Sequence, residues 1–178
     1  MDKSHLQEEQ NLARMMQAPK RDGRAQFSEL QWKASKREFW SLVGQHMGNS
    51  PKLLVNVGCG YDSGACQFQA AGHTCIHFDM VADMLVALQE TAGAISCVAG
   101  DANSLPLKKG VFDVLVSVDV IHHEQERVLG LLESFRDLLK PGGACFSKTR
   151  THGVCFRCTS PYSFPSLFIG AFAPAITV

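Results

Sequence analysis

Several features that would narrow the role of this 178-residue chain are missing from it. There is no excess of charge: 17 basic residues balance 17 acidic ones, so no global field draws the protein to nucleic acid or to an anionic membrane. No run of about 18 or more apolar residues offers a membrane-spanning helix, and stable membrane insertion is not expected. The opening stretch Met1 to Glu9 has no apolar core of signal-peptide type. The seven cysteines, at 59, 66, 75, 97, 145, 155 and 158, have no regular framework spacing. Several fall in apolar runs, where a thiol behaves as a small hydrophobe. A reducing, cytoplasmic setting is therefore the expectation.

What is present is the composition of a globular domain, 46% hydrophobic and 19% charged, long enough to bury a real core. Residues 1–50 are polar and helical in pattern, interrupted near Pro19 to Gly23. A second helix is expected from about Ser28 to Met47, with Trp32, Lys36, Phe39, Val43 and Met47 on one face. Residues 51–150 alternate short apolar runs with longer helical stretches, as a parallel sheet with crossover helices does. Five strands are expected: Leu53 to Val57, Thr74 to Phe78, Ile95 to Ala99, Phe112 to Val118 and Ala144 to Lys148. Helices are expected near 63–71, 81–92 and 124–139, the last stopped by Lys140-Pro141-Gly142-Gly143. Residues 151–178 are apolar and interrupted by Pro161, Pro165 and Pro174, and no regular element is expected in them. A collapsed terminal segment is the first expectation there, ahead of disorder or membrane contact.

In an open parallel sheet, ligands sit outside the carboxyl ends of the strands where chain order reverses. Four strand ends carry suitable groups. After strand one, Gly58-Cys59-Gly60-Tyr61-Asp62-Ser63-Gly64 turns directly toward a helix; glycine allows the unusual backbone angles and the close approach of a ligand, and Asp62 or Ser63 is placed to cap. After strand two comes Asp79, whose acceptor oxygens suit a ribose diol. After strand three come Asp101 and Ala102, a carboxylate and an amide that could face the amine and a ring nitrogen of adenine. After strand four come Val118, Asp119 and then His122-His123. Adjacent histidines rarely point at one ion, and no partner of regular spacing is visible, so no metal is expected. Trp32, Phe39 and Trp40 read as packing residues, Cys155 and Cys158 as core or coincidence, and Asp113 as structural.

The ordered series Val57-Gly58-Cys59-Gly60, Phe78-Asp79 with Met84-Leu85, Gly100-Asp101-Ala102 with Leu105-Pro106-Leu107, Phe112 to Ser117, Ile121-His122-His123 and Leu139 to Gly143 resembles the class I S-adenosylmethionine-dependent methyltransferases. Within them it is similar to the methyltransferase type 11 group that includes ubiquinone and menaquinone biosynthesis enzymes. The resemblance implies an α/β, Rossmann-like, doubly wound, mostly parallel sheet with N-terminal helices, and with the family's C-terminal strands incomplete or missing. It implies S-adenosyl-L-methionine as cofactor. Asn56, Gly58, Cys59 and Gly60 would line its methionine part, Asp79 and Met80 its ribose, Asp101 and Ala102 its adenine, and Val118 and Asp119 its sulfonium end. His122 would line the acceptor pocket as the one candidate catalytic residue, the acceptor being a small molecule and not a nucleic acid.

Two positions depart from the family pattern: Asn56 stands where an acid is usual, and Asp62 where a third glycine is usual. Asn56 carries no charge to complement the cofactor's ammonium. An alternative reading is therefore a catalytically impaired methyltransferase-like protein that binds a cofactor or a partner. A dinucleotide oxidoreductase fits less well, because the third glycine, Gly64, falls one residue late for that fingerprint.

Overall fold

The computed structural model describes residues 23–121, 127–148, 153–157 and 166–168. The chain divides into two compact units, Met1–Glu38 and Phe39–Val178. In the first, the described part is the beginning of helix α1, Gly23–Met47. The second holds the end of α1 and a seven-stranded sheet.

The five expected strands are all present: β1 Leu53–Val57, β2 Thr74–Asp79, β3 Ser96–Ala99, β4 Phe112–Val118 and β5 Leu139–Lys148. They are mutually parallel in the order β3-β2-β1-β4-β5, so the chain reverses its direction of travel across the sheet between β1 and β4. The crossover helices are α2 Cys66–Ala70, α3 Ala82–Ala92 and α4 Val128–Leu138.

The two faces of the sheet are covered separately. Val55, Val57, Phe78, Leu115 and Cys145 meet Leu131, Phe135 and Leu138 of α4 in one cluster. Each of those helical side chains is almost fully buried, and each removal from water stabilises the fold by about 1.5–3 kcal/mol. On the other face lie Leu54, Asn56, Cys75, His77 and Val116, the alternate residues of the same strands. Contacts from the end of α1 and from α2 reach that face: the His46 and Phe146 rings are 5.3 Å apart, and the Cys66 thiol lies 3.8 Å from His77 Nε2. Phe39, Val43 and Met47 of the expected α1 face are buried, whereas the side chain of Trp32 lies outside the described residues.

Two expectations are corrected. The Lys140-Pro141-Gly142-Gly143 segment does not merely stop α4, because β5 already begins at Leu139 and carries these residues as an irregularity. β4 advances from Phe112 to Val114 while β5 advances from Leu139 to Ala144, so Pro141 and Gly142 bulge outward, with Gly142 at φ +81°. Proline's missing N–H is harmless there, which a reading based on helix termination alone does not anticipate. The second correction concerns the apolar tail. Gly153–Arg157 forms β6, antiparallel to β5, and Ser166–Phe168 forms β7, antiparallel to β6. Its prolines fall outside both strands, so β5 is not left as an open edge. Only residues 149–152 separate β5 from β6, and no described helix lies between them.

At the amino end of the sheet, Asp113 accepts from the Leu53 amide at 2.9 Å and from Lys140 Nζ at 3.0 Å, which is the structural role expected for it. Burial works against this carboxylate, but the Leu53 amide and the Lys140 ammonium outweigh it and hold Asp113 below the ordinary value of 3.8. A depressed carboxylate contributes stability above its unfolded pKa and loses it as pH falls through the folded value. Acid titration of the folding free energy should therefore show a loss beginning below about pH 4 that is smaller in Asp113→Asn.

A Cβ added at Gly143 would stand 2.9 Å from the Lys140 carbonyl and 3.1 Å from the Phe112 carbonyl, whereas one added at Gly142 meets nothing. Urea denaturation should show Gly143→Ala losing about 1–3 kcal/mol, through contact with main chain that cannot yield. Gly142→Ala should lose about 1 kcal/mol, from backbone angle alone.

Candidate functional site

The carboxyl ends of β1, β2, β3 and β4 lie on the same edge of the sheet, on either side of the switch point between β1 and β4, and the expected site residues from Asn56 to Asp119 follow those ends. The glycine loop leaves β1 with Gly58 at φ +68° and Gly60 at φ +50°, angles that favour glycine. Gly58 has a second reason to lack a side chain: a Cβ there would fall 2.0 Å from Cγ2 of Val120, which packs over it from the end of β4.

The amides of this loop are turned inward. Gly58 and Cys59 both donate to the Phe78 carbonyl, at 2.8 and 3.1 Å. Gly60 donates to Asp79 Oδ2 at 2.7 Å, Asp62 to the Cys59 carbonyl at 2.8 Å, and Gly64 to Asp62 Oδ1 at 2.9 Å. A loop that cradles a pyrophosphate must direct such N–H groups at its ligand. This one engages five of them internally. What it can offer is carbonyl oxygen and carboxylate, which suits a cation.

Asp79 connects two strand ends. Its Oδ2 takes the Gly60 amide and its Oδ1 the Val81 amide at 2.9 Å, and the residue is 7% exposed. Burial pushes its pKa above the ordinary carboxylate value, against the pull of the Val81, Gly60 and Met80 amides. Each carboxylate oxygen has a second lone pair, so a diol can still be accepted. Met80 follows, half-buried. Asp62, one of the two cap candidates, is the residue that caps the 3-10 turn Ser63–Ala65. Asp101 also caps a turn, Ala102–Ser104, accepting from the Asn103 amide at 2.8 Å and its side chain at 3.0 Å. Asp119 follows Val118 with φ +60°, the one positive value at a non-glycine among the described residues, and its amide donates to the Lys148 carbonyl at 2.7 Å. His122 lies outside the described residues.

Beneath the loop, Asn56, an expected site residue, has a neighbour that sequence reading missed, His77. Asn56 and His77 are register partners on β1 and β2, 1% and 0% exposed. Asn56 Nδ2 and His77 Nδ1 have no hydrogen-bond partner among the described residues. Burial holds the imidazole below its usual pKa of 6.5, with Asp62 acting in the opposite direction. Trp40, on α1, places Nε1 2.1 Å from where a Cβ at Gly64 would stand, which accounts for glycine at that position. A histidine inside the apolar run of β2 was a legible signal of this group. The approach of Trp40 carried none.

A family model for a methyltransferase domain matches residues 55–147. The chain belongs to that family. S-adenosylmethionine is the cofactor of the class. The match begins within β1 and ends within β5, and so takes in all four strand ends described above. A tRNA (carboxymethyluridine(34)-5-O)-methyltransferase of Xenopus tropicalis, alkbh8, is 33% identical over 110 residues, which are 58% of this chain and 17% of the relative. An S-adenosylmethionine-dependent methyltransferase from Mesorhizobium loti shares the fold with a TM-score of 0.53 at 23% identity, over 61% of this chain and 51% of its own. A phosphoethanolamine N-methyltransferase 2 of Haemonchus contortus, solved with phosphomonomethylethanolamine and S-adenosylhomocysteine, also has a TM-score of 0.53 at 23% identity, over 61% of this chain and 27% of its own. This chain therefore spans about half, or less, of the length of each of these proteins. Among the described residues no helix is long and apolar enough to cross a membrane, and no group of histidine, cysteine and acidic residues could hold a metal.

Asp79→Asn leaves a single oxygen to serve the Gly60 and Val81 amides. Thermal melts should show a loss of about 1–3 kcal/mol, the cost of one buried donor left unmet. Gly58→Ala, pressed against Val120, should lose at least as much.

Proposed function

We propose that this domain binds S-adenosylmethionine across the carboxyl ends of β1 to β4 and transfers its methyl group to a small-molecule acceptor. The observation that carries the reading is the inward turn of the loop amides between Gly58 and Gly64. It leaves oxygen acceptors for a cationic cofactor and disfavours a pyrophosphate. Bound S-adenosylmethionine would supply an electrophilic methyl carbon. In this reading Asn56, Gly58, Cys59 and Gly60 line its methionine part, Asp79 and Met80 its ribose, and Asp101 and Ala102 its adenine. Val118 and Asp119 border the end that faces the acceptor, and His122 lines the acceptor pocket. The residues contribute alignment of the reacting atoms rather than a covalent intermediate. The equal numbers of acidic and basic residues support a small acceptor over a polyanion.

A second reading has its own observation: 33% identity over 110 residues to a tRNA methyltransferase favours a modified uridine as acceptor. Calorimetric titration followed by transfer of labelled methyl to separated metabolite and tRNA fractions distinguishes them. The expected result is heat with S-adenosylmethionine, displacement by S-adenosylhomocysteine but not NADH, and label in the metabolite fraction. Label in tRNA alone would establish the second reading. Binding without transfer to either fraction would point to a cofactor-binding module without activity. His122→Ala should lower turnover by about tenfold or more while leaving the affinity for S-adenosylmethionine unchanged.

A further inference from the structure

Four thiols gather on the α2 side of the sheet, around a histidine that the proposed methyl transfer does not use. Cys75 precedes His77 by two residues on β2, and Cys97 is the register partner of His77 on β3, so all three side chains leave the same face. Cys66, the first residue of α2, brings its thiol to 3.8 Å from His77 Nε2. Cys59 sits in the glycine loop, and all four thiols are free. They differ in access. Cys59 and Cys75 are 4% and 2% exposed, and Cys75 donates to the Ala65 carbonyl at 3.5 Å, whereas Cys66 and Cys97 are half-buried. Cys66 and Cys97 also pack against one cluster, formed by Cys59, Leu85, Leu88 and Ile95.

We propose that Cys66 and Cys97 are a modification site: a thiol pair that a hydroperoxide closes to a disulfide, with His77 as proton acceptor and the glycine loop as the part displaced. Adjacent strands run about 4.8 Å apart, so Cys97 is rooted one strand from the imidazole that Cys66 already touches. Forming the bridge requires the Cys66 sulfur to leave Nε2 and turn toward β3, which moves the first residue of the five-residue α2. Burial raises both thiols above their usual pKa and lowers that of the imidazole, so neither sulfur ionises unaided at neutral pH and His77 is uncharged. Its Nε2 then has a lone pair for the Cys66 proton. The thiolate attacks one peroxide oxygen: the S–O bond forms, the O–O bond breaks, and the leaving alkoxide takes that proton from His77 as an alcohol. The Cys97 sulfur displaces the hydroxyl of the resulting sulfenic acid, which departs with the Cys97 proton as water. Two thiols are oxidised and one peroxide is reduced. The loop feels the bridge because the chain up to Cys66 is laced: the Cys66 amide donates to the Ser63 carbonyl, the Gly64 amide to Asp62 Oδ1, and the Asp62 amide to the Cys59 carbonyl. The thiol pair is independent of the cofactor; its effect on the loop rests on the S-adenosylmethionine reading.

The test treats the full chain with hydrogen peroxide, blocks remaining thiols with a maleimide, and maps the peptides by mass spectrometry. The expected product is a bridge between Cys66 and Cys97 that dithiothreitol reverses. Cys97→Ser should stop at a sulfenic acid on Cys66, read as a dimedone adduct, and Cys66→Ser should give neither a bridge nor an adduct at Cys97. Calorimetry should show the oxidised protein binding S-adenosylmethionine about fivefold more weakly or worse, with recovery on reduction. The absence of a bridge, a bridge through Cys59, a bridge confined to Cys155 and Cys158, or first oxidation at Cys97 overturns the proposal. A mapped Cys66 to Cys97 bridge with unchanged affinity overturns its link to the loop. Reduced protein that binds no S-adenosylmethionine overturns the cofactor reading, and the peptide map still decides the thiol pair. Should a serine variant fail to fold in a thermal melt, alanine at the same position serves for the same measurements.

Discussion

The hydrogen bond from the Gly60 amide to Asp79 fixes the site, because it ties the first strand end to the second at 2.7 Å. Gly58 and Cys59 reinforce it by sharing the Phe78 carbonyl, and Gly100 extends it by donating to the Asp79 carbonyl at 3.0 Å. Three consecutive strand ends are thus laced together through main chain and one buried carboxylate. The cost of burying Asp79 is met by amides rather than by a cation. The same lacing decides which ligands the rim can suit, since an N–H that faces Asp79 or Phe78 cannot face a phosphate.

The layer beneath the loop is less well satisfied. Asn56 and His77 occupy positions that elsewhere on this face of the sheet are filled by Leu54, Cys75 and Val116. A buried amide or imidazole nitrogen without a partner destabilises by about 1–3 kcal/mol. Polar residues kept in such places mark sites where a sequence departs from what folding alone would select. Here the departure lies at the carboxyl end of β1 and beside it on β2, where Asn56 and His77 adjoin the glycine loop.

Much of the architecture was legible because parallel strands buried on both faces leave continuous apolar runs. Leu53 to Val57 and Phe112 to Val118 begin and end as their sequences indicate. The 3-10 caps at Asp62 and Asp101 follow from the side-chain chemistry of aspartate before a small-residue turn. What could not be read was set by partners distant in sequence. Pro141 and Gly142 look like a helix stop until β4 shows how many residues must oppose Phe112 and Val114. β6 has β5 as its template, and its own composition resembles a collapsed tail. The glycine loop announced flexibility, yet nothing in its spacing said that Val120 and Trp40 would fill the space that its glycines leave.

That filling at Gly58 has a mechanical consequence. The γ-methyl of Val120 occupies the volume a Gly58 side chain would need, so the segment after β1 and the segment after β4 abut with no slack between them. Close-packed surfaces of this kind transmit displacement rather than absorb it. A push on the backbone at Gly58 must therefore be felt at Val120, one residue past Asp119 and two before His122, and a group settling on either side changes the footing of the other.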